Sequence, residues 1–219
     1  MDVNAKATIM TERGSLAYQQ MTQFALDHRT ATTLLRVATQ DYAAARCLAQ
    51  NLLVTSLIVG AQAIEKFLKA YLLFVDPSRN VRKLSHSLPQ LLTEVDGVFP
   101  RLSLPRFSGV VERFDRHYLT RYPDNANAST SMTTADIFEL DELIVFLNEN
   151  MPCPRNVKYR TGLYAAITFS LGYGSTVTAT EHWIKLDNRP LSPLLPRIAE
   201  EYEAVMEELH PRKPSYSAQ

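Results

Sequence analysis

"LIVGAQAIEKFLKAYLLFV", Leu57 to Val75, is the stretch from which the architecture is read. Leu57, Ala61, Ile64, Leu68, Tyr71 and Val75 recur every three or four positions, the spacing that lines one face of an α-helix. Gln62, Lys66 and Lys69 share a polar side, which predicts a solvated face with Glu65 and Lys69 paired one turn apart. Asp76-Pro77 ends the pattern, because a residue before proline is pushed out of the helical region. Upstream, from Thr33, the residues Leu35, Ala38, Tyr42, Ala45, Ala49 and Leu52 form a second stripe, with Arg36, Gln40 and Arg46 largely away from it. Two amphipathic helices with almost no loop between them predict an antiparallel pair, because neither stripe can stay in water at about 25 cal/mol per Å². The expected fold class is all-α, an up-and-down helical bundle.

Composition agrees. The chain has 219 residues, 46% of them hydrophobic, and only seven glycines, too few to supply the turns of an all-β protein of this size. The longest uncharged apolar run, Leu52 to Ala61, is too short to cross a bilayer, so no membrane association is expected. "MDVNAKATIMTERG" lacks the apolar core of a secretory signal. Cys47 and Cys153 lie far apart without CxxC spacing, which suggests neither a disulfide framework nor a zinc site. A cytoplasmic protein is the expectation.

Further along, Ser85 is placed to cap a short helix from His86 to Val95, which Gly97 would break. A helix from about Phe107 to Leu119 presents Val110, Val111, Phe114 and Tyr118 as its apolar side, and Pro123 prevents its continuation. Thr134 is placed to cap a helix through Leu147, with Asp136 favourable in its first turn. Pro152 and Pro154 mark the expected boundary. The organisation read from the chain is therefore a lead-in over 1–32, a bundle over 33–151, and a mainly helical C-terminal extension over 152–219. That extension ends in an amphipathic helix striped by Leu195, Ile198, Tyr202, Val205 and Leu209.

Charge is balanced overall but not locally. Eight basic and four acidic residues lie between Arg79 and Arg121, and the next 29 residues hold six acidic ones and no basic one. Within the basic block, "FDRHYLTRYPDNA", Phe114 to Ala126, follows directly on Arg113. On a helix Arg113, Arg116 and His117 stand at i, i+3 and i+4, so their head groups can converge, and Arg121 and Tyr122 follow. Convergent guanidinium groups suit a phosphate, and an imidazole titrating near neutrality can move a proton. The same cations would also serve a plain helix C-terminus by compensating its dipole. Glu181-His182 and Asp27-His28 lack a second ligand at metal spacing, so no metal and no cofactor is expected.

Taken together, "DYAAARCLAQNLLVTSLIVGAQAIEKFLKAYLLF", "KLSHSLPQLLTEV" and "RHYLTRYPD" resemble the HEPN family of helical domains over Thr33 to about Met151. The resemblance implies a four- or five-helix bundle, usually a homodimer. Such a bundle either cleaves RNA without metal or binds nucleotides, RNA or a protein partner, among them a nucleotidyltransferase or an antitoxin. Ribonuclease members carry an arginine and a histidine four to six residues apart, which form a composite site across the dimer. Here Arg113 and His117 have three residues between them, and Glu112 stands where an arginine would complete the gap. Arg79 and His86, with Arg82 between them, satisfy the wider spacing but precede the third helix. Two readings follow: a nucleotide-, RNA- or partner-binding module using Arg113, Arg116, His117, Arg121 and Tyr122, or a metal-independent endoribonuclease with His117 and Arg113 as its catalytic pair.

Overall fold

A computed structural model of the chain describes residues 16–210 except 17, 52, 120–130 and 174–176. All regular elements among these residues are helical, in the bundle arrangement expected. A helical lead-in, residues 18–27, runs into α1 (Arg29–Ala49), and a short turn returns the chain through α2 (Thr55–Val75). The two helices form the antiparallel hairpin. Asp41 pairs with Lys66 across it, and Phe24 and His28 stack on Phe74 at its far end.

α2 is the centre of the bundle rather than a half-solvated helix. Lys69 is 4% exposed and Glu65 8%, with the lysine ammonium donating to the carboxylate at 2.7 Å, so the pairing holds but the solvated face does not. The reason lies in residues off the stripe: Ala63, Ala70, Leu72 and Leu73 make α2 apolar nearly all round, and such a helix is enclosed by its neighbours. Three helices enclose it, α3 (Leu88–Val98), α4 (Ser108–Leu119) and α5 (Thr134–Glu149). Gly60 lets one of these come close, since a Cβ there would lie 2.6 Å from the Phe114 ring of α4 and 3.1 Å from Leu140 of α5.

Three local expectations are corrected. Ser87, not Ser85, caps α3, its hydroxyl accepting from the Gln90 N–H, while Ser85 accepts from the Ser87 N–H one step earlier. Pro89 sits in the first turn of α3, where a missing N–H costs nothing. Gly97 does not break that helix, which runs on to Val98 and stops before Pro100. The cap of α5 is Thr133, in a reciprocal capping box with Asp136.

Beyond Pro152 the chain folds into four short or medium helices, α6 (Arg155–Lys158), α7 (Leu163–Ile167), α8 (Phe169–Tyr173) and α9 (Ala179–Lys185), before α10 (Leu195–Leu209). Their buried residues, among them Ile167, Ile184, Leu191, Ile198 and Val205, belong to the same hydrophobic cluster as the hairpin. Gly162, with φ of 77°, allows the backbone to pass against Leu35, whose side chain would lie 2.6 Å from any Cβ. α10 carries the expected stripe and is tied down by Tyr159, whose hydroxyl donates to Glu201 at 2.8 Å, and by Arg197, which pairs with Glu149 and Glu201.

Candidate anion-binding face

α4 packs antiparallel to α5, because Phe107 at its start meets Phe146 while Arg113 reaches Asp136. Its apolar side buries Val111 and Phe114, and its last turn brings the cations of the sequence cluster to one end of the bundle. They are not equivalent there. Arg113 is shared between two carboxylates of α5, donating to Asp136 Oδ1 at 2.7 Å and forming an ion pair with Glu139 Oε2 at 2.9 Å. Asp136 Oδ2 takes the Thr133 N–H and hydroxyl. Burial works to raise the Asp136 pKa, but the bonds from Arg113 and Thr133 outweigh it and hold the carboxyl below its ordinary value.

His117 lies inside, 5% exposed. Burial is the largest influence on its imidazole and pulls the pKa below the ordinary value; Arg116 and Arg113 push the same way against Asp136. Arg116 points outward and is exposed. Arg121 and Tyr122 lie outside the described residues. The acidic block after Arg121 is therefore partly spent within the chain, on Arg113.

The second group of candidates sits in the loop between α2 and α3. Arg79 is held near Asp76 at 3.7 Å and Glu94 at 3.5 Å, and Arg82 is exposed on a short 3-10 turn. His86 is an exposed side chain anchored through Nδ1, 2.9 Å from Glu65 Oε1, the carboxylate that also takes Lys69. One bond brings this loop to α4: the Leu88 N–H, at the start of α3, donates to Asp115 Oδ1 at 2.9 Å. His86 lies two residues before that N–H and Arg116 directly follows that carboxylate, so the two exposed side chains come from segments joined at this bond, while the N-terminus of α3 is already satisfied by Asp115 and Ser87.

A further polar constellation, absent from the sequence reading, lies on the opposite side of α5. Arg46 of α1, expected away from the apolar stripe, is 1% exposed. It pairs with Asp141 of α5 and donates to the carbonyls of Trp183, at 2.8 Å, and Leu186. Asp141 also accepts from the Tyr42 hydroxyl at 2.6 Å, and that hydroxyl accepts from Asn188 at 2.7 Å. Burial, the main influence on Asp141, raises its carboxyl pKa against the opposing pull of Arg46 and Tyr42. The one sequence signal for this network is a tyrosine and an arginine one turn apart within an alanine-rich stretch, which marks where a long side chain can lie between closely packed backbones.

A scan of protein-family models, a search of curated proteins and a search of solved structures each give no match to this chain. Its reading accordingly rests on its own residues.

Proposed function

We propose that the chain is a HEPN-like binding module, a homodimer that holds single-stranded RNA or a nucleotide on the face formed by the end of α4 and the start of α3, without cutting it. The observation that supports this reading is the Leu88 to Asp115 bond, which joins the segment carrying His86 to the turn of α4 carrying Arg116, residues from separate candidate clusters. An exposed guanidinium and an exposed imidazole favour a phosphate. Binding is preferred to cleavage because Arg113 is already engaged by Asp136 and Glu139, and because His117 is enclosed. A composite ribonuclease site needs both groups presented to substrate.

The test is fluorescence anisotropy of a labelled single-stranded RNA over a salt series in the presence of chelator. Binding is expected to weaken with salt, each neutralised phosphate contributing about 0.7 to the logarithmic slope, and Arg116→Ala is expected to lower both affinity and slope. Absence of salt-dependent binding to RNA and to mononucleotides would sink the proposal. Cleavage of the RNA that disappears in His117→Ala would replace it with the endoribonuclease reading. Sedimentation at micromolar concentration tests the dimer, which a 24.7 kDa species alone would exclude.

A further inference from the structure

On the side of α5 away from Arg113, a cleft of about 560 Å³ opens between the end of α1, the start of α5 and the segment after α9. This is within the size range of sites that enclose small molecules. Its floor is the Arg46–Asp141 pair, whose charges cancel. Met132, Ile137 and Phe138 give it an apolar wall. Two further charges line it, Asp187 and Arg189, both exposed, and neither makes an ion pair or side-chain hydrogen bond among the described residues.

Both are nonetheless held in place. The Arg189 guanidinium lies 4.4 Å from the centre of the Phe138 ring, a stacked position that orients its N–H donors and leaves them available. Asp187 adopts φ of 50°, in the left-handed region that favours glycine and is visited less often by aspartate. The backbone is fixed there from both sides, by the Leu186 carbonyl bound to Arg46 and by Asn188 bound to Tyr42. An aspartate kept in a conformation better suited to glycine retains its carboxylate at a local cost.

We infer that this cleft binds a small zwitterion with an apolar body, chemically an apolar amino acid or a short apolar peptide. Its carboxylate is taken by Arg189 and its ammonium by Asp187, while its side chain lies on Met132, Ile137 and Phe138. The charges of the cleft decide the class. With the floor neutral, one cation and one anion remain, so a ligand carrying one of each leaves no charge unpaired, whereas a mononucleotide would set its phosphate beside Asp187. The site is on a different face from the one proposed for RNA and does not depend on it.

The experiment is calorimetric titration of the full chain with leucine, phenylalanine and leucyl-leucine, beside phenethylamine, 3-phenylpropionate and uridine monophosphate. Saturable binding of a zwitterion is expected, about tenfold or more tighter than either singly charged analogue, since each charge-assisted contact is worth at least that factor. A preference between leucine and leucyl-leucine assigns the ligand to the free amino acid or to the peptide. Arg189→Ala and Asp187→Gly are each expected to weaken binding by about tenfold. The glycine variant removes the carboxylate while easing the backbone, so loss of binding with undiminished thermal stability speaks for the site and not for folding. No binding of any zwitterion, binding unchanged in both variants, or uridine monophosphate or 3-phenylpropionate binding as tightly as phenylalanine would each overturn the inference.

Discussion

Arg46 and Asp141 meet in the core as a buried ion pair, the arginine 1% and the aspartate 0% exposed, joining α1 to α5. Around them each guanidinium nitrogen has an acceptor, Trp183 and Leu186 supplying carbonyls beside Asp141, while the Tyr42 hydroxyl donates to Asp141 and accepts from Asn188. Such a pair contributes little by existing and costs much when halved, because the surviving charge stays out of water.

Asp141→Ala and Arg46→Ala are therefore each expected to lower unfolding free energy by about 3–5 kcal/mol. The double replacement Arg46→Ala with Asp141→Ala is expected to cost less than the two single changes combined. Urea denaturation of the four proteins checks this, and strict additivity would show that the two charges do not depend on each other.

Two glycines within helices predict opposite outcomes. At Gly60 an added methyl meets the Phe114 ring at 2.6 Å, so Gly60→Ala is expected to destabilise by about 1–3 kcal/mol through overpacking. At Gly97 nothing lies within 4 Å and the residue is exposed, so Gly97→Ala is expected to gain about 0.5–1 kcal/mol from helix propensity. Thermal melts that moved in the same direction would contradict the placement of one of them.

His117 gives a pH signature. Its pKa in the folded chain is depressed, so the unfolded state binds the proton first and stability rises with pH across the interval between the two values. The contribution is fully present above the ordinary histidine value of about 6.5 and is lost as pH falls through the lower, folded value. Replacing His117 with Gln is expected to flatten the stability profile in that interval; an unchanged slope would mean that the imidazole is reached by water.

Arg113 and Arg116 separate structure from binding. Arg113→Ala leaves Asp136, which is 3% exposed, without its guanidinium and is expected to cost about 1–3 kcal/mol, whereas Arg116→Ala is expected to change stability by less than about 0.5 kcal/mol. Their effects on RNA affinity are expected in the reverse order. A melting curve and an anisotropy titration on each variant decide it.

What could be read from the sequence follows from which interactions are local. The helical hairpin was legible in Leu35 to Ala49 and Leu57 to Val75 because apolar spacing reports a face directly. The cap of α5 was misplaced by one residue, since Thr133 and Thr134 offer the same hydroxyl and only the backbone decides between them. The burial of Arg46 was not legible, because it depends on segments arriving from far along the chain, whereas that of Lys69 follows from Ala63, Ala70, Leu72 and Leu73, which lie off the stripe in the same helix. The candidate cluster is legible in the sequence as four basic residues at helical spacing from Arg113 to Arg121, yet its division into a paired Arg113, an enclosed His117 and an outward Arg116 depends on the neighbouring helices, which periodicity within α4 does not describe.

The bonds that satisfy Arg46 also set an order of events during synthesis. Its carbonyl partners stand 137 and 140 residues further along the chain, and the amide that completes Tyr42 stands 146 residues beyond that tyrosine. While the hairpin and the helices around it emerge from the ribosome, the guanidinium lacks two of its acceptors, and the core is closed only when the segment through Asn188 arrives. A chain ending near Pro152 would lack the Trp183 and Leu186 carbonyls that Arg46 uses in the folded protein, so the last third completes the coordination of a side chain from the first.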